Sequence, residues 1–358
     1  MGGGKPEDIF LLRALRIKNI SKEKISIQEL RFSLKSNGNV QQIISFPKEM
    51  LAIRAEKLSK IGEFIGTVKS NPEEEKERII EFKNVFGEEP FWDFGKLTDK
   101  MELKPLDETG LWGKTFKACL SDPVDEMEIT VVFEMNGEVK TSSISVPIKE
   151  YSSKNEYIFP LKGACLVWGN WDITINSHRL AHSQEFGMDF VYLNDDLTFP
   201  HTVKTKNEDF KTYRKDVYAV YDGEVIDVFD KAPENPIAPD TFPQEKQEEI
   251  KKKYGWHAIA MGNYIIIKHP NDEYSGYAHL STGSATVKKG DKVKQGQVIG
   301  KVGNAGHSAG PHLHFQIING PDFLTARGLP CHFVNIVDFM GKDVSLIQDN
   351  LVIVHTKE

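Results

Sequence analysis

A chain of 358 residues is too long for one small module, and at ~150 residues per domain it predicts two units, three at most. Hydrophobic residues at 39% and charged ones at 27%, with 28 Gly and 17 Pro, form an ordinary globular mixture that excludes a disordered or collagen-like chain. A net charge of −7 offers no excess of cations for phosphates, so nucleic acid is not expected as a partner.

No stretch approaches the ~18 apolar residues of a membrane span, and Arg13 interrupts the early apolar run, so neither a transmembrane segment nor a signal peptide is read. Pro6 stands where a myristoylation motif wants Ser or Thr. By these signs alone the chain reads as cytosolic. Cys119, Cys165 and Cys331 are too few and too far apart for a disulfide framework or a Cys-based zinc site, and are expected as buried small hydrophobes. All eleven histidines fall between His178 and His355, which directs the search for chemistry to the second half.

In chain order, Leu15–Ile20, Ile25–Ile27 and the alternating Leu30, Phe32, Leu34 predict half-buried strands, with Ser36-Asn37-Gly38-Asn39 as a turn. From residue 47 the period becomes helical through Leu51, Leu58, Ile61, Ile65 and Val68. Asn71-Pro72 breaks it, and Glu73–Phe86 gives a second helix. Glu128–Phe133, the Asn136-Gly137 turn and Ile144, Val146, Ile148 predict a β-hairpin. Residues 1–150 therefore read as a β-rich, sandwich-like domain with a helical insertion and no catalytic constellation, joined at Tyr151–Asn155 to a second domain over 151–358.

The second half is rich in strands broken by glycine turns. Asp222-Gly223 predicts a hairpin between Tyr218–Tyr221 and Glu224–Val228, and further strands are expected at Gly187–Tyr192, Tyr264–Lys268, Ser275–Leu280, Gln297–Val302 and His314–Ile318. Between them lie a loop carrying Pro233, Pro236, Pro239 and Pro243 and a polar helix over Gln244–Lys253. A loop of that length inside a compact domain is usually functional or disordered. The fold class is thus mainly β, with an antiparallel C-terminal domain.

His312-Leu313-His314 puts two imidazoles on one face of a strand. Alone that is a weak metal signal, but His279 ends a second predicted strand, Asp189 sits in a third, and His178 and His182 precede Asp189 in a loop. Two neutral imidazoles and one carboxylate are a donor set for a catalytic zinc that leaves a position for water.

These residues resemble the lysostaphin-type (LytM-like) zinc endopeptidases over about residues 159–334. The resemblance is carried by Ser177-His178-Arg179, Gln184 through Phe190, Val217-Tyr218-Ala219-Val220, Gly262 through Ile267, Tyr277-Ala278-His279-Leu280, Val293 through Gly300 and Gly310-Pro311-His312-Leu313-His314-Phe315. It implies an antiparallel β domain with zinc in a groove, held by a loop histidine, Asp189 and His314. His279 and His312 would then act on the zinc-bound water and on the oxyanion formed when a peptide carbonyl is attacked. The family usually places its first ligand four residues before the Asp, which here is Glu185. The long-loop subgroup points instead to His178, with His182 as the next choice. The implied function is a zinc metalloendopeptidase acting on peptide bonds, with peptidoglycan cross-links as substrate, at odds with the absence of an export signal.

Two alternatives stand beside it: a noncatalytic cell-wall or protein-binding module on the same fold, and a biotin or lipoyl carrier suggested by Val287 through Gly300. The carrier reading lacks a modifiable lysine turn. His201, His257, His269, His307, His332 and His355 read as structural or surface residues, and Asn263 and Tyr277 as possible groove residues. Oligomeric state and the task of the first domain do not follow from these residues.

Overall fold

The computed structural model describes residues 7–56, 98–120, 122–148, 151–169, 178, 181–194, 204–347 and 352–357. The helices expected beyond Leu58 and over Glu73–Phe86, and His201, lie outside them. Among the described residues, those through Tyr151 form one compact unit and those from Ser152 another.

The first unit is antiparallel β. Its strands are β1 (Glu7–Lys18), β2 (Ile25–Ser36), β3 (Asn39–Pro47), β4 (Glu108–Cys119), β5 (Glu126–Met135) and β6 (Glu138–Pro147). A sheet in the order β3-β2-β5-β6, with the short strand Glu102–Leu103 also on β2, faces a two-stranded ribbon of β1 and β4. The alternation that predicted β2 holds in burial: Leu30, Phe32 and Leu34 are fully enclosed, together with Ile27. The ribbon adds Leu15, Leu111 and Ala118 to the same core, and the helix over 48–56 adds Leu51 and Ala55. Both Asn-Gly turns are two-residue loops with two left-handed residues, φ 48° and 77° at Asn37 and Gly38, 54° and 78° at Asn136 and Gly137. That is the backbone whose twist matches the flanking strands.

The second unit is built on an eleven-stranded antiparallel sheet. Its longer strands, with one separate pair, are β7 (Ala164–Gly169), β8 (Met188–Val191), β9 (Asp216–Tyr218), β10 (Gly223–Phe229), β11 (Asn263–Lys268), β12 (Tyr274–Leu280), β13 (Val298–Lys301), β14 (Leu313–Ile318), β15 (His332–Asp338), β16 (Asp343–Leu346) and β17 (Val352–Thr356). The order β10-β11-β12-β14-β8-β7-β17-β15-β16 puts β12, β14 and β8 at the centre. All six residues of β14 and all four of β8 are buried. On one face of these strands Phe190, Phe315 and Tyr277 meet Phe159 and Phe333 in an aromatic core, with Phe159 and Phe190 centroids 4.5 Å apart. The opposite face is left for polar side chains. The helix expected over Gln244–Lys253 is α2 (Gln244–Tyr254), counting the helix over 48–56 as α1, and α3 (Trp256–Ala260) follows it at once.

The hairpin expected around Asp222-Gly223 does not form. β9 pairs with β13, whereas β10 pairs with β11 and with Lys292–Val293, so the two segments never meet as partners. Neither Asp222 nor Gly223 has positive φ, unlike the two Asn-Gly turns, so the backbone that would fold one strand onto the other is absent. Cys165 and Cys331 are buried free thiols as expected.

His269 is a buried structural residue just beyond β11, 2% exposed, with Nδ1 2.9 Å from the Asp222 carbonyl and Nε2 2.7 Å from Ser275 Oγ. Burial pushes its pKa down from 6.5 to about 4, against smaller opposing effects of Asp222 and Glu273. The folded protein thus refuses a proton that the unfolded chain accepts between those values. Stability from this group is complete above pH 6.5 and is lost as pH falls toward 4, a change of about 3 kcal/mol. Denaturant midpoints at pH 7 and pH 4.5 are expected to differ by less in His269→Gln than in the unaltered protein. An equal pH dependence in both would remove His269 as the cause.

Candidate metal centre and active site

Strand register assembles the site. His314 on β14 lies directly opposite Asp189 on β8, and Ala278, the neighbour of His279, lies opposite His314 on the other side. Cross-strand partners project from the same face, so one carboxylate and one imidazole meet at the sheet centre while His279 enters from the end of β12. Gly169 on β7 is the partner of Asp189 on the far side. A Cβ there would stand 2.5 Å from Asp189 Oδ2, so the carboxylate occupies space that only glycine leaves open.

Asp189 is the hub. His178 Nε2 lies 2.9 Å from its Oδ2, and His314 Nδ1 lies 3.0 Å from its Oδ1. His312 Nε2 approaches Oδ1 at 3.5 Å. Burial works to raise the Asp189 carboxyl, but the attraction of His178 and His312 and hydrogen bonds with His178 and His314 outweigh it and hold the group well below the usual carboxylate range. His178 is displaced the other way: burial opposes its charge, yet Asp189 and Gln184 raise it above its ordinary value.

The tautomer of His314 follows from its neighbour two residues on. Gln316 donates its amide N–H groups to the carbonyls of Ser183, at 3.1 Å, and Phe323, at 3.2 Å. Its Oε1 is therefore the atom 2.8 Å from His314 Nε2, which must carry the proton. That leaves the Nδ1 lone pair aimed at an Asp189 carboxylate oxygen. Burial first of all keeps His314 below its ordinary pKa and so neutral. Two acceptors 3.0 Å apart repel unless a cation lies between them. Donor atoms of His178, Asp189 and His314 all fall within 4.8 Å of one another. Two imidazole nitrogens and a carboxylate oxygen are borderline-soft donors that suit zinc, so the residues fit that metal. The bond from Gln316 to the far nitrogen is the outer support such a ligand commonly has.

His279 and His312 stand beside this cluster with ring centroids 4.7 Å apart. His279 Nδ1 donates to the Ala305 carbonyl at 2.7 Å, which turns Nε2 to the site. Burial, then repulsion from His312 and His314, keeps His279 well below its ordinary pKa. Its backbone is left-handed, φ 61°, a strained state for a residue with a side chain, and its N–H donates to the Met261 carbonyl at 2.9 Å. His312 likewise gives Nδ1–H to a carbonyl, that of Gly310 at 2.8 Å.

All five residues line a groove of about 640 Å³. Its further walls include Trp168, Val191, Pro239, Trp256, Ile259 and Met261, an apolar flank to which the segment from Pro239 through α3 contributes most. His307 also lines it, which its isolated position in the sequence did not suggest. His182 and Glu185 do not join the donor cluster; the His182 carbonyl accepts from Gly328 N at 3.1 Å. Asn263 and Tyr277 are fully enclosed and do not line the groove. Asn263 bonds Ala232 and Leu280, and the Tyr277 hydroxyl accepts from Val220 N. Gln316 and Gly169 escaped the sequence reading. Gln316 was signalled by its i+2 spacing from His314; Gly169 had no local signal.

An antiparallel β domain that gathers two imidazoles and a carboxylate at the floor of a groove is the class that fold and site define. Residues 248–324 match the model of Peptidase family M23. Fifty-seven residues are 51% identical to peptidoglycan DD-endopeptidase ShyA of Vibrio cholerae, covering 16% of this chain and 13% of that protein. Sixty-three residues are 46% identical to lysostaphin of Staphylococcus simulans, covering 17% and 12%. Among solved structures, the catalytic domain of lysostaphin from Staphylococcus simulans aligns over 47% of this chain and 88% of that one, with 22% identity and a TM-score of 0.26. Residues 248–324 are thus similar to Peptidase family M23, with lysostaphin among the relatives. The chain's matched segment spans only about an eighth of those two relatives.

Proposed function

We propose that this protein is a zinc metalloendopeptidase that hydrolyses peptide bonds of peptidoglycan cross-links. The observation that carries the reading is the pair of facing acceptors, His314 Nδ1 and Asp189 Oδ1 at 3.0 Å, with His178 Nε2 beside them. His178, Asp189 and His314 would hold the metal. Zinc in that position supplies Lewis acidity, polarising a carbonyl oxygen and lowering the pKa of water. The remaining steps belong to the chain. His279, neutral and with Nε2 turned to the site, accepts a proton from the attacking water and returns it to the leaving amine. His312, its Nδ1–H held by the Gly310 carbonyl, presents a bare Nε2 to the site and orients the attacking water by accepting a hydrogen bond from it. The groove sets an apolar flank beside its histidine and carboxylate floor, a lining that suits a peptide.

The substrate reading is supported by the relatives, among which are three named peptidoglycan DD-endopeptidases and two named lysostaphin. The peptidase unit is assigned to residues 151–358. The preceding unit supplies no metal-donor cluster among the described residues. Incubation of zinc-loaded protein with purified peptidoglycan and with oligoglycine peptides is expected to release new amine termini. His279→Ala should keep its zinc and lose turnover by ~10²–10⁴-fold. Zinc bound without cleavage of any preparation would refute the enzyme and leave a binding module.

A further inference from the structure

The proline-rich loop between β10 and α2 carries half-buried Glu234 and buried Asn235, a pair that reaches both non-donor histidines through the backbone that holds them. Asn235, 1% exposed, donates its amide hydrogens to three carbonyls of one loop: Asn304 at 3.1 Å, Gly306 at 2.9 Å and Ser308 at 3.2 Å. Its Oδ1 accepts from Phe242 N at 3.0 Å, anchoring the fan of bonds two residues ahead of α2. Its own backbone N–H donates to the Asn304 carbonyl at 2.9 Å. Glu234 forms a backbone bridge with Ala305. Its carboxylate accepts from Asn304 N at 3.0 Å, and also from Ser281 Oγ at 2.9 Å and Thr282 N at 3.1 Å, which follow His279 closely in the chain.

The segment so tied, 304–310, presents the two carbonyls that fix the imidazoles. Ala305 O receives His279 Nδ1–H, and Gly310 O receives His312 Nδ1–H. Ser308, whose own carbonyl Asn235 grips, also donates its Oγ–H to Gly310 O at 2.8 Å. We propose that Glu234-Asn235 is the positioning element of the active site, a clamp that sets the carbonyls selecting the Nδ1–H tautomer of His279 and His312 and so turns their Nε2 atoms toward the groove. Neither residue touches the groove floor. They act through the loop, and the catalytic consequence rests on the peptidase reading above.

The physical argument is one of degeneracy. An imidazole has two tautomers close in energy, and a hydrogen bond to one nitrogen decides which atom meets the substrate. A glycine-bearing loop left to itself samples several carbonyl directions. Three bonds from one amide to alternate carbonyls of that loop remove the choice, and the carboxylate beside it fixes the loop to the end of β12. Local cross-linking of this kind fits a proline-containing segment, whose fixed φ lowers the cost of ordering it.

The test reads the tautomers directly. Long-range proton–nitrogen NMR of the zinc-loaded full chain is expected to show His279 and His312 as Nδ1–H imidazoles with slowly exchanging protons. In Asn235→Ala the zinc content should be retained, both rings should become tautomer mixtures, and kcat should fall roughly tenfold to a hundredfold with KM little changed. Asn235→Ser, which keeps one donor, is expected to fall between and serves if the alanine variant does not fold. Asn155→Ala removes a buried amide of the same unit that bonds Pro270 and Glu273 far along the chain from this loop. It should lower stability with both tautomers intact. Unchanged Nδ1–H signals in both Asn235 variants, or mixtures already present in the unaltered protein, would overturn the clamp. Correct tautomers that respond to Asn235 in a protein that cleaves nothing would uphold it and refute the enzymatic reading instead.

Discussion

His314→Ala is expected to leave a protein that no longer holds stoichiometric zinc and no longer cleaves peptides. The substitution removes the nitrogen facing Asp189 Oδ1 and leaves Gln316 Oε1 without its donor. Asp189 and His178 then remain as a two-donor set, one short of the three protein ligands a catalytic zinc commonly takes. A metal's Lewis acidity contributes several kcal/mol to the transition state, so the activity lost is about a thousandfold or more. Metal content by mass spectrometry and initial rates on peptidoglycan check it together. Retention of one zinc per chain would place the metal elsewhere. His279→Ala is the contrast, because His279 spends its Nδ1 on Ala305 and is not among the three donors.

The largest stability effect is expected at Gly262→Ala, at a position outside the donor cluster. Gly262 lies where the backbone after α3 crosses the 304–306 loop, with φ 65°, and a Cβ there would stand 2.3 Å from the Ala305 carbonyl carbon. Gly306 answers it from the facing segment, with φ 79° and its own Cβ direction 2.3 Å from Gly262 N. Two backbones pressed together at left-handed residues leave no room for a methyl on either side. Strain at positive φ costs ~1–3 kcal/mol and forced overpacking about as much again, so roughly 4 kcal/mol should be lost. Because Ala305 O is the acceptor for His279, the same change should misplace that ring. Thermal melting and the His279 tautomer signal would report both. A stable variant with its tautomer intact would mean the backbones part without cost.

The sequence made the local features legible and left the long-range ones hidden. Leu30, Phe32 and Leu34 announced β2 by alternation, and Asn37-Gly38 announced a turn and Asn136-Gly137 a hairpin because Asn and Gly tolerate left-handed backbone. Asp222-Gly223 carried an equivalent turn signal, yet its flanking strands each found a better partner elsewhere: Val217 beside Gly300, Val225 beside Ile267. The ribbon of β1 and β4 joins residues as far apart as Glu7 and Cys119, a pairing that no local pattern specifies. At the site, His312, His314, His279 and Asp189 could be read from residue type and strand spacing. Their supports could not: Gly169 matters only because β7 lies against β8, and the carbonyls of Ala305 and Gly310 have no side-chain signature. The choice of His178 over His182 likewise rests on where a loop comes to lie.

The order of strands also separates two meanings of the word domain. The stretch that family comparison recognises, residues 248–324, contains His314 and both non-donor histidines, but Asp189 stands on β8, which is flanked by β7, and β7 in turn is closed by β17 from the far end of the chain. Heredity and cohesion are therefore drawn along different borders. The recognised segment is the part that matches the family, while the sheet that presents a carboxylate to His314 runs from Ala164 to Thr356 and is closed by strands outside that segment.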